Sequence, residues 1–122
     1  MDERYGSILP IWERWWNEFC RLSREGKSLH AHIRGGFAPP KECRILFFYV
    51  VKPVGRICGY AEFAGWEAGY RDEMWRNHGH ESCLGSKNLY DEFFKGRQKV
   101  SFIRFKNLHE ASNPVKFDNI LP

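Results

Sequence analysis

"RILFFYVVKPVGRICGYAEF", residues 44–63, holds two runs of strand-forming residues around a short turn. Ile45 to Val51 is unbroken apolar sequence, rich in β-branched and aromatic side chains. That is the pattern of a central strand buried on both faces. "KPVG" (52–55) ends it, with Pro53 early in the turn and Gly55 able to take a positive φ. The chain then returns as the hairpin partner, with Ile57, Ala61 and Phe63 expected inward and Arg56, Tyr60 and Glu62 outward. Gly59, inside the returning run, permits the sharp bend of a small barrel.

Upstream, "GSIL" (6–9) reads as a short first strand, closed by Pro10 at the first position of a helix. "IWERWWNEFCRLSREG" (11–26) places Ile11, Trp12, Trp15, Trp16, Phe19 and Leu22 on one helical stripe, with Gly26 as the stop. The stripe reads as core packing, although Trp12, close to the helix start, could border a pocket. "SLHAHIR" (28–34) is the second strand, and "GGFAPP" (35–40) is a loop because its glycines and prolines do not suit a sheet. Downstream, "YRDEMWRNH" (70–78) and "SKNLYDEFFKG" (86–96) are short helices, the second with Ser86 as its N-cap. "QKVSFIRFKNL" (98–108) is the last long strand, and "NPVKF" (113–117) an added edge. The expected architecture is α+β: one domain over residues 1–122, a small, mostly antiparallel barrel with an N-terminal helix. Two short helices are inserted before the last long strand.

The chain has 122 residues, 43% of them apolar, 28% charged and 16% aromatic, an ordinary globular composition apart from its wealth of rings. No apolar run reaches the ~18 residues of a membrane-spanning helix, and "MDERYG" is not a signal peptide, so a cytoplasmic location is expected. Cys20, Cys43, Cys58 and Cys83 form no C-x-x-C pair and read as free thiols. The net charge of +4 is uneven. Residues 1–60 and 95–122 are basic, whereas residues 61–94 are acidic, so the two basic ends could together face an anionic partner.

"KECRILFFYVVKPVGRICGYAEF" (41–63) resembles the PUA-like superfamily, whose ASCH, EVE and YTH relatives share the lead-in loop, the apolar strand, the turn and a "GxAE" strand. "FIRFKNL" (102–108), "SNPV" (112–115) and the short helices between extend the resemblance. It is nearest to an uncharacterised archaeal family, domain of unknown function 365. The resemblance implies a PUA-like β-barrel and binding of RNA, or of nucleic acid carrying a modified base, with a splayed-out base held beside the first helix. Some ASCH proteins are instead ribonucleases or amidohydrolases with a G-x-K-x-x-E-x-R pattern. "REGKSLHAH" (24–32) keeps Lys27 but has His30 at the acid and His32 at the arginine, so the fold is implied and the catalysis is not.

Within that frame His30, His32 and Arg34 alternate along one side of their strand and could line the crevice. Arg34 would be a phosphate ligand, and the imidazoles would stack on or hydrogen-bond to a base. The plainer reading is a solvated strand face. Phe37, Tyr60 and Trp66 could serve as stacking platforms or pack beneath loops. Lys99, Arg104 and Lys106 could follow a phosphate backbone, or merely keep an edge strand from pairing with other chains. Lys27 completes the candidate nucleic-acid-binding set. His30 and His32 with His78, His80 and Cys83 offer zinc-type ligands, but no metal-binding framework joins them, so neither metal nor other cofactor is expected. The sequence therefore points to a nucleic-acid-binding module without catalysis of its own. An ASCH-like hydrolase acting on RNA or a nucleoside-like substrate is the alternative.

Overall fold

In the computed structural model, which describes residues 6–36 and 43–116, the hairpin forms as the sequence predicts. Strand β3 (Ile45–Val50) pairs antiparallel with β4 (Arg56–Tyr70), Phe47 lying opposite Tyr60 and Leu46 opposite Ala61. Gly55 closes the turn at φ 62°, a left-handed value that costs glycine little. The pairing shifts register between Phe48 and Tyr49, opposite Gly59 and Ile57, which leaves Cys58 as an extra residue. Such a bulge bends the strand and increases its twist. A Cβ on Gly59 would lie 2.3 Å from the His109 carbonyl oxygen and 2.6 Å from Cη2 of Trp16. Glycine is thus required by close approach as well as by curvature.

Strand β3 is buried on one face only. Leu46, Phe48 and Val50 are sealed, whereas Ile45, Phe47 and Tyr49 are partly open. The strand buried on both faces is β5 (Lys99–Lys116), in which every residue from Val100 to Ile103 is buried. An unbroken apolar run cannot reveal this, because it records hydrophobicity and not which elements arrive to cover each face.

Helix α1 (Glu13–Arg24) connects β1 (Gly6–Ile11) to β2 (Leu29–Gly35), the two edges of a five-stranded sheet in the order β1-β3-β4-β5-β2. The β1–β3 pair is parallel and the other pairs are antiparallel. The sheet curls into a half-barrel, with α1 packed inside it. Trp16 meets Phe48 at 5.1 Å between ring centroids, and Phe19 meets Phe105 at 5.0 Å. Pro10 lies within β1 and does not open the helix. That is permitted because β1 is an edge strand, whose outward side needs no N–H donor.

Across the sheet from α1 lie α2 (Arg71–His78), a 3-10 turn (Gly79–Glu81) and α3 (Lys87–Phe93). They close a second core of Ala31, Met74, Tyr90, Val100 and Phe102. The Leu89 N–H donates to Ser86 Oγ at 3.2 Å, the N-cap expected from the sequence. The "NPVKF" segment adds no separate edge up to Lys116, because β5 runs on through it and pairs Val115 with Ile57.

Candidate functional site

The alternation in β2 is real, but the face carrying His30, His32 and Arg34 turns inward, toward α1. His30 stands opposite Phe105 and stacks on it at 5.3 Å and 16°, with the edge of Phe19 at 5.6 Å. Its ring is wholly buried, and among the described residues neither nitrogen has a hydrogen-bond partner. Burial, and next the charge of Lys27, hold its pKa down to about 4, so the imidazole is neutral near pH 7. This corrects the reading of His30 as a crevice residue: it is core. His32 is also held down to about 4, by burial and then by Arg34. It lies further along the same face, half-buried at the sheet edge. Arg34 is half-buried and, among the described residues, has no hydrogen-bond or ion-pair partner. Burial lowers its pKa.

His32 lies where the half-barrel fails to close. A cleft of about 310 Å³ opens there between the end of β1, the start of α1, the edge of β2 and the end of α3. Ile11, Trp12 and Trp15 form one wall, and Ile33, Phe93 and Phe94 the other. A smaller recess of about 40 Å³ continues inward past His32 to Ser82 and Cys83. Trp12 is the residue before the helix, in extended conformation, and is 59% exposed. Trp15 meets Phe93 edge-on at 4.9 Å. The Arg14 guanidinium lies over both rings, at 4.6 and 5.3 Å. Cation–π contact holds it there at the rim. The cleft can therefore take a flat aromatic group against the exposed Trp12, with guanidinium charge at its mouth and a neutral imidazole in its lining. Cys83 is no nucleophile here, because burial, and next Glu18, push its thiol pKa up to about 12.

The other candidates are placed elsewhere. Lys27 is half-buried and donates to the carbonyls of His80 and Ser82, each at 2.9 Å, tying the α1–β2 turn to the 3-10 turn. Arg104 is turned onto the buried Glu81 carboxylate, so its guanidinium serves the fold rather than a strand-edge phosphate track. Lys99 lies with its ammonium 5.5 Å from the Tyr70 ring centre, and Lys106 is exposed opposite Glu62. Tyr60 is 42% exposed on the outer face, stacked on His109. Trp66 is half-buried within β4 opposite Ile103 and not at a strand exit. Phe37 lies outside the described residues. His78 is engaged by Glu67 at 2.7 Å and Glu81 at 3.2 Å.

Arg14, Trp15, Phe93 and Phe94 were legible in the sequence only as helix faces, polar or apolar. The cluster Trp12, Trp15 and Trp16 at the start of α1 was a signal for Trp15 alone; nothing local marked Arg14, Phe93 or Phe94.

No protein-family model matches the chain. An ASCH domain-containing ribonuclease of Zymomonas mobilis subsp. mobilis is 26% identical over 120 residues, covering 98% of this chain and 76% of the relative. The crystal structure of ASCH from Zymomonas mobilis matches with a TM-score of 0.73 at 19% identity, over 97% of this chain and 78% of that one. A crystal structure of a mutant of that protein matches at 0.74 and 19% identity, over 98% and 80% of the two chains. At this identity the solved structures establish the fold. Together with the sequence likeness, they support placing the chain in the ASCH/PUA-like superfamily.

Proposed function

We propose that this chain binds single-stranded RNA and receives one unpaired base in the cleft between β1, α1 and β2. The observation that carries the reading is the open, ring-walled cleft with Trp12 exposed at its mouth and Arg14 over Trp15. Every base offers a π-face, so rings of this kind accept bases with little regard to sequence. Arg14 at the rim and Arg34 beyond His32 are suited to the phosphates on either side. The ribonuclease name of the Zymomonas relative supports RNA as the ligand class.

The same likeness favours a second reading, hydrolysis of RNA. Against it stand the side chains at hand. Lys27 is directed to two carbonyls, His30 is sealed in the core, and the Cys83 thiol stays protonated. That leaves His32 as the group able to move a proton at the cleft, and general acid–base work requires a pKa near the working pH. Binding without turnover is therefore the preferred reading. Titration with a single-stranded oligoribonucleotide should quench tryptophan fluorescence. Trp12→Ala should weaken binding by about 1–3 kcal/mol, the worth of one stacked base, and the nuclease-free protein should leave the RNA intact. Cleavage that disappears in His32→Ala, with the fold retained, would establish the hydrolase reading instead.

A further inference from the structure

At the other end of α1 a second hollow, of about 520 Å³, opens where β5 outruns β2. The two strands pair from Leu29–Lys106 onward, so from Asn107 the β5 edge on that side has no strand beside it among the described residues. Tyr60 and His109 line the hollow with their rings 4.8 Å apart and 15° from parallel, and both residues are exposed. Phe47 lies beside Tyr60 at 6.3 Å, so three rings run in a row across β3, β4 and β5. Asn107, also in the wall, has a left-handed backbone at φ 53°. Its amide nitrogen donates to the Glu62 carboxylate. That leaves the Asn107 amide oxygen and the second Glu62 oxygen as acceptors. Lys27, Ser23 and Ser28 complete the polar part of the lining.

The geometry points to this hollow as a second base subsite, in which another unpaired base of the same single strand stacks on His109 and extends the Tyr60–His109 pair. The inference rests on the RNA-binding reading of the cleft. An exposed parallel ring pair at the mouth of an open hollow continues naturally with a flat π-ligand, which an aliphatic side chain does not imitate. The carboxylate and amide oxygens beside it suit the exocyclic amino groups of adenine, cytosine or guanine. Exposed Lys106 supplies a cation near the same strand edge. Helix α1, with 12 residues, spans about 18 Å at 1.5 Å per residue. One strand of several nucleotides can therefore occupy both ends, while a mononucleotide fills one.

The test uses the full chain, a single-stranded octaribonucleotide and adenosine monophosphate. Tryptophan fluorescence reports the cleft, and the His109 imidazole proton resonances report the hollow. The octanucleotide should move the His109 resonances. His109→Ala should weaken its affinity about tenfold, as loss of one stacked base does, and His109→Phe should restore it. Quenching by the mononucleotide should be unchanged in both variants. Full octanucleotide affinity in His109→Ala, with unmoved His109 resonances and normal quenching, would overturn the second subsite and leave the cleft standing. Shifted His109 resonances without any quenching would support the hollow and remove the cleft reading.

Discussion

Arg104 donates from Nε and Nη2 to the two carboxylate oxygens of Glu81, at 2.7 and 3.2 Å, while only 5% of the Glu81 side chain is exposed. The pair links the middle of β5 to the 3-10 turn after α2, and His78 approaches the same carboxylate at 3.2 Å. A basic side chain in a basic run thus holds the helical layer onto the sheet.

Removing the cation would leave a buried carboxylate without its main partner. Arg104→Met should therefore destabilise the fold by about 3 kcal/mol, the range for breaking a buried pair from one side. Lys106→Met, at an exposed position, should leave the urea midpoint unchanged. The two curves, recorded side by side, decide the matter. Unaltered stability in Arg104→Met, joined to a shallower salt dependence of RNA binding, would put Arg104 at the ligand instead of the core.

His30 makes stability depend on pH. Its folded pKa of about 4 lies below the ordinary histidine value of 6.5, chiefly because of burial. The unfolded chain therefore takes up the proton first as the pH falls. The stabilising contribution is whole above about pH 6.5, declines below it and is gone once pH passes the folded value. A shift of that size corresponds to at most roughly 3–4 kcal/mol. Urea midpoints of the native chain should fall steadily between pH 6.5 and 4, and His30→Leu should make that fall shallower, the remainder resting on His32, which is held down to about 4 as well. A variant as acid-sensitive as the native chain would mean that another group carries the effect.

Binding should respond to pH differently. His32 in the cleft lining is also held down to about 4, so it stays neutral from pH 7.5 to 6. In the His109→Phe variant, whose second subsite carries no imidazole, RNA affinity should be flat across that interval and rise only as the pH approaches 5 and the His32 imidazole gains charge. Arg34→Ala should reduce the slope of log affinity against log salt by roughly one phosphate contact. Affinity that climbs between pH 7.5 and 6, and ceases to climb in His32→Gln, would show that His32 titrates in its ordinary range.

Local chemistry made much of the architecture legible. The turn at Lys52–Gly55, the Ser86 N-cap, the short helices and the β3–β4 register all follow from residues close together in the chain. Pro10 and Trp12 were harder to place. A proline before an amphipathic run is an equally good helix opener or edge-strand residue, and only the pairing of Pro10 with Tyr49 at the sheet edge separates the two.

By itself the sequence determined the α+β class and a small, mostly antiparallel barrel-like sheet, through strand-forming runs, a helical stripe and turn residues that admit one local geometry each. Which face of each strand is covered was decided by tertiary structure alone. The alternation in "SLHAHIR" sorts His30, His32 and Arg34 onto one side, but it carries no sign to tell inside from outside. Helix α1, crossing from the β1 edge to the β2 edge, made that side interior. The same crossing sealed His30 between Phe19 and Phe105 and left His32 at the unclosed seam. It also set Trp12 and Trp15 against Phe93 and Phe94, residues about 80 positions away in sequence. No local pattern encodes such a meeting, because side chains that far apart are brought together only when the sheet curls and its two edges approach.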